Sequence, residues 1–217
     1  MNRVNQTPGS NVHGTLGSSK QSDIASATSG SLQMLKLPPE LEKIISSLSQ
    51  TKDVTDAFKI LNQCSESRLI KQLEPSNTFK LKEFKIEVVL KDQCDVISQN
   101  LSIANSIGVK CAPALVKNIP IDDFSVLVTH YEGCEEQFPT PYDSSSRFTN
   151  NPHLEILFDD IRKLAEQGYI HEYGSMGTDH WEVVPQTGRV MLNSWFTLTK
   201  SDVQDPMKIV KEFRSQL

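Results

Sequence analysis

The chain has 217 residues, 37% of them apolar and 23% charged, with a formal net charge of −5 and a pI of about 5.6. These values fit a soluble globular protein and argue against a large basic surface for nucleic acid. No apolar run reaches the roughly 18–20 residues of a membrane helix, and the N-terminus lacks the apolar stretch of a cleaved secretory signal.

Twenty of the first 33 residues are Ser, Gly, Thr, Asn or Gln. Such a segment buries too little apolar surface to offset its ordering entropy, so residues 1–33 read as a disordered tail and 34–217 as one domain. A helix is predicted from about Pro39, with Leu41, Ile44, Ile45 and Leu48 on one face, and a second from Asp53 to Gln63. Residues 79–91 have strand character, because Phe84, Ile86, Val88 and Leu90 alternate with charged or polar neighbours. Residues 94–108 read as a largely buried helix ended by Gly108. "APALVKNI" and "FSVLVTHY" read as strands joined by a turn near Pro120–Asp123. Residues 135–152 are polar with three prolines and read as a loop. Asn151-Pro152 then opens a helix to about Gln167, ended by Gly168. "TDHWEVVPQTGRVMLNSW" (178–195) reads as a tight hairpin, and Ser201 as the cap of a last helix to about Phe213. The fold class is α+β: a helical N-terminal part and a central helix packed on a small antiparallel sheet.

The four cysteines, Cys64, Cys94, Cys111 and Cys134, form no CxxC pair. No zinc site is expected, and their spacing suits reduced thiols. Cys94 stands at the predicted helix start, where the dipole favours a thiolate. The hairpin brings His180, a candidate base, close to Asn193, which would orient the imidazole. Gln93 and the Cys94 amide are candidate oxyanion donors. His130, His153 and His171 lack a partner at hairpin spacing.

The order Cys94, His180, Asn193, with "HW" opening a strand and "NSW" closing the next, resembles the papain-like cysteine hydrolases. It is most similar to the single-domain effectors of bacterial type III secretion. The resemblance implies a papain-like fold with Trp195 supporting the site, and cleavage of a peptide bond or a glutamine side-chain amide in a host protein. It implies no cofactor or metal, and export into the host cytoplasm through the uncleaved tail. No nucleic-acid partner or membrane span is expected, and the protein is expected to be a monomer.

A second resemblance is to protein kinases, as a divergent kinase or pseudokinase effector. Lys91 would be the strand lysine, "THYEG" the hinge, "GYIH" the entry to the catalytic loop and "NSW" the metal-binding triplet. The chemistry of that family is missing, because no Asp stands two residues after His171 and Asn193 stands where a Mg²⁺ carboxylate is needed. The helix holds no Glu, and no glycine-rich loop precedes Lys91. Asp179 would serve as the base only in an atypical loop.

Overall fold

The computed structural model describes residues 35–137, 139–142, 151–172, 174 and 177–217. The expected disordered tail lies outside the described residues, as do residues 138 and 143–150 of the predicted loop 135–152. Residues 36–217 form one compact unit.

Helix α1 (Pro39–Ser49) starts with proline at its first position and two glutamates in its first turn, which suits the free N–H groups there. Helix α2 (Val54–Glu66) is capped by the Asp53 carboxylate, which accepts the Thr55 N–H. Leu41, Ile44 and Leu48 of α1 and Ala57 and Leu61 of α2 pack on one face of a sheet.

That sheet is antiparallel and five-stranded: β1 (Lys71–Leu73), β2 (Thr78–Leu81), β3 (Phe84–Leu90), β4 (Ala114–Ile121) and β5 (Phe124–His130), in the order β1-β2-β3-β5-β4. Helix α3 (Lys91–Ile107) makes the connection from β3 to β4. Strand alternation sends Phe84, Ile86 and Val88 into the core with α1 and α2, and Lys85 and Glu87 to the opposite face.

The remainder comprises β6 (Thr140–Pro141), α4 (His153–Glu166), β7 (Tyr169–His171), β8 (Trp181–Val183), β9 (Val190–Leu192), β10 (Leu198–Lys200) and α5 (Pro206–Arg214). Strands β6, β8 and β9 form one small antiparallel sheet and β7 pairs with β10. A second apolar core joins α3, α4 and α5 to the β8–β9 hairpin around Trp181 and Trp195.

The architecture is mixed α+β with antiparallel sheets. Several expectations need correction. The main sheet is not confined to the chain after the central helix, because three of its strands precede α3. The stretch 79–91 holds parts of two strands, since Lys82 turns the chain in the left-handed region (φ 51°) between β2 and β3. Strand β3 ends at Leu90, so Lys91 is the exposed first residue of α3 and not a strand lysine. The last helix starts at Pro206 and not after Ser201. Asp205 accepts the Met207 N–H, and Pro206 fits a first helical position but would break a helix begun earlier.

Candidate functional site

Lys85 and Glu87 lie two residues apart on β3 and leave the sheet on the same side, so they meet: Lys85 Nζ stands 2.9 Å from Glu87 Oε1. Facing them is Glu182, which alternation on β8 turns away from the buried Trp181 and Val183. Tyr131, directly after β5, places its ring 5.9 Å from Lys85 Nζ. These four residues line two cavities of about 250 and 300 Å³ between the sheet and the hairpin. Asn193, Ser194 and Trp195 line the larger one.

The charges in this cleft are coupled. Burial opposes the Lys85 ammonium, but Tyr131 and the carboxylates of Glu87 and Glu182 outweigh it, so Lys85 titrates above its ordinary value. Burial raises Glu182, against the opposing pull of Lys85 and a hydrogen bond from Asn193. One cation therefore faces two carboxylates in a half-closed space. Among the described residues, no group of three or more His, Cys, Asp or Glu side chains is placed to hold a metal ion.

The hairpin brings His180 and Asn193 side by side through the main chain, while the Asn193 side chain engages Ser194 and Glu182. The Asn193 N–H donates to the His180 carbonyl at 3.1 Å, with His180 in a short 3₁₀ turn just before β8 and Asn193 just after β9. Ser194 adopts the left-handed conformation (φ 59°), and its hydroxyl donates to Asn193 Oδ1 at 3.0 Å. Trp195 is buried, and its indole N–H donates to the Leu192 carbonyl at 2.8 Å.

Cys94 lies elsewhere. It is the fourth residue of α3 and fully buried. Its thiol donates to Asn118 Oδ1 on β4 at 3.3 Å and lies 3.8 Å from Ser98 Oγ. Burial pushes the thiol up, which Ser98 and Ser125 partly oppose, and the Asp95 carboxylate pushes it further. Helix α3 meets the hairpin end at Asn100, whose amide donates to the Trp195 carbonyl at 2.8 Å. Cys94 is almost two turns nearer the start, about 9 Å along the axis. Gln93 is exposed. So the structure joins His180 to Asn193 through the backbone and leaves Cys94 against the sheet.

His171, at the end of β7, feels the charge of His180. His171 is buried and meets the Trp195 ring edge-on, with centroids 5.1 Å apart. The Gly174 N–H donates to its Nδ1 at 2.9 Å, which requires the neutral ring with its proton on Nε2. Burial and then His180 lower its pKa to about 4, despite backbone hydrogen bonds that favour the cation. The sign follows from linkage. Unfolded chains take up a proton near the ordinary pKa of 6.5 and the folded chain only near 4, so stability is whole above the first value and falls as pH drops between them. We expect His171 to withdraw about 3 kcal/mol over that interval. Urea melts of the native chain and of His171→Gln between pH 7 and 4.5 check this, and an identical slope in the two proteins would refute it.

Lys85, Glu87, Tyr131 and Glu182 were not anticipated as a site. The alternation in "FKIEVVL" places Lys85 and Glu87 on one face, but nothing local says that Glu182 faces them across the fold. No family model and no curated protein matches the chain.

Proposed function

We propose that the chain is a divergent kinase-like domain that binds a partner protein and does not transfer phosphate, in the manner of a pseudokinase effector. One observation carries this reading: three antiparallel strands, a helix, then two strands pair as β1-β2-β3-β5-β4, with a β3 lysine facing a C-terminal hairpin across a cleft. Lys85 takes the place that the sequence alone suggested for Lys91. The contact between His171 and Trp195, and α3 reaching Trp195 through Asn100, add to the likeness.

The same cleft argues against phosphoryl transfer. That reaction needs a base to position the nucleophile and carboxylates to hold Mg²⁺ against the phosphates. Tyr173 stands two residues after His171, and Asn193 opens the "NSW" triplet. The β1–β2 connection contains no glycine, and α3 contains no glutamate. Lys85 is already paired by Glu87 of its own strand. Glu87 and Glu182 both line the cavity beside the single lysine, and this excess of carboxylates repels a triphosphate. The Ser-rich first 33 residues support export as a type III effector with a host protein as partner.

The test is paired. ATP with Mg²⁺ should leave the melting temperature unchanged and yield no phosphate transfer, since a ligand stabilises only the state it binds. A saturable, Mg²⁺-dependent rise or any turnover would overturn the non-catalytic reading. In parallel, Cys94 should resist brief iodoacetamide labelling until denaturant is added, because its thiol is sealed and raised. Rapid native labelling at Cys94 would instead favour the cysteine hydrolase.

A further inference from the structure

Strand register gathers polar side chains over the Lys85 cleft. Thr78 of β2 stands directly opposite Glu87, and Thr129 of β5 directly opposite Lys85. Directly opposed residues of an antiparallel pair share a face, so both threonines point to the side of the sheet that Lys85 and Glu87 occupy. Thr78 lines the smaller cavity and Thr129 the larger. Each threonine is 2% exposed, and neither hydroxyl has a hydrogen-bond partner among the described residues. A buried hydroxyl without a partner is costly, and native structures keep few of them. Charge is unbalanced at the same place. Lys85 bonds to Glu87, while Glu182 and, at the smaller cavity, Glu74 add carboxylates with no second cation among the described lining residues. Hydroxyl oxygens and surplus carboxylate therefore face one confined space, and all of them accept hydrogen bonds.

We infer, on the partner-binding reading of this domain, that the cleft receives an arginine side chain of the partner protein. A guanidinium brings five N–H donors and no acceptor, so it can bond to Glu182 and to a threonine hydroxyl at once while reducing the surplus of negative charge. The cavities of about 250 and 300 Å³ lie at or below the low end of the roughly 300–1,000 Å³ that whole small-molecule ligands occupy, and suit a single side chain. A lysine ammonium is a compact, strongly hydrated charge with three donors, and it gives up more hydration on entering.

Isothermal titration calorimetry of the full chain with N-acetylarginine amide tests the site. Binding should be saturable, the lysine analogue should bind at least about fivefold more weakly, and the uncharged citrulline analogue should give no response. Glu182→Gln should weaken binding roughly tenfold. Glu212→Gln, at an exposed position on α5, makes the same change in net charge and should bind within about twofold of the native chain. Thr129→Val separates recognition from packing. It keeps the side-chain shape and removes an unpartnered hydroxyl, so the melting temperature should hold or rise while binding weakens about threefold. The inference is overturned by an absence of saturable heat, by citrulline or lysine analogues binding as well as the arginine analogue, or by equal losses in Glu182→Gln and Glu212→Gln. Tighter binding of free arginine than of the blocked form also overturns it, since the ligand would then be a metabolite and not a side chain. Stabilisation by ATP with Mg²⁺ would instead overturn the non-catalytic reading, so the two failures are distinct.

Discussion

Replacing Trp181 by alanine is expected to cost about 4 kcal/mol, the range seen when a large aromatic is cut from a packed core. The ring is fully buried at the start of β8. It stacks on Phe213 of α5 at 6.1 Å and 14°, meets Phe158 of α4 edge-on at 6.3 Å, and packs against Tyr142 at 5.5 Å. Its N–H donates to the Gly174 carbonyl at 2.9 Å, so the truncation also leaves that buried acceptor without its donor. Two helices and the hairpin share this one side chain, and the cavity has little room to collapse. Since a domain holds only about 5–15 kcal/mol in all, the variant should melt far earlier in urea. Trp181→Phe should lose less, because it keeps most of the apolar contact. A loss under about 2 kcal/mol in the alanine variant would mean that Trp181 does not organise this core.

Asp160→Ala is the second large effect, at about 3 kcal/mol for a buried carboxylate whose partners are left unpaired. Asp160 lies on α4 with no exposed surface. Its Oδ2 accepts the N–H groups of Lys110 at 2.6 Å and Cys111 at 2.8 Å, and its Oδ1 accepts from Lys163 at 2.9 Å. Those two amides belong to the connection between α3 and β4, so one side chain ties that turn to α4. The order of losses discriminates the cause. Asp160→Ala should cost most, Asp160→Asn less because its carbonyl still accepts, and Lys163→Ala under about 1 kcal/mol because that ammonium is partly in water. If Lys163→Ala matches Asp160→Ala in urea denaturation, the ion pair and not the amide pair is what holds the turn.

Much of the local structure was legible in the residues. The α1 stripe at Leu41, Ile44 and Leu48, the Gly108 terminus of α3, the two strands around Asp122 and the His180–Asn193 hairpin all lie where spacing and turn chemistry place them. Strand β1 was missed because three residues carry too little alternation to register. The break between β2 and β3 was missed because its signal is a left-handed Lys82, a conformation that a lysine does not advertise.

The sequence by itself determined the type of most elements, the buried stripe of α1 and the closeness of His180 and Asn193 at the hairpin end, because these depend on periods of two or 3.6 residues and on turns that read a few neighbours, whereas α3, expected to be largely buried, buries only Cys94, Asn100, Leu101 and Ala104. The tertiary structure alone decided which charges meet. Cys94 faces Asn118 and not His180 because α3 crosses from β3 to β4 and packs its first turns on the sheet. Lys85 faces Glu182 across some hundred residues of chain because β3 and β8 line opposite walls of one cleft. Lys71, Lys80 and Lys85 form a row only once strand register sets them side by side. Register and crossover are set by burying two apolar cores at once, a global requirement that no short window of sequence contains.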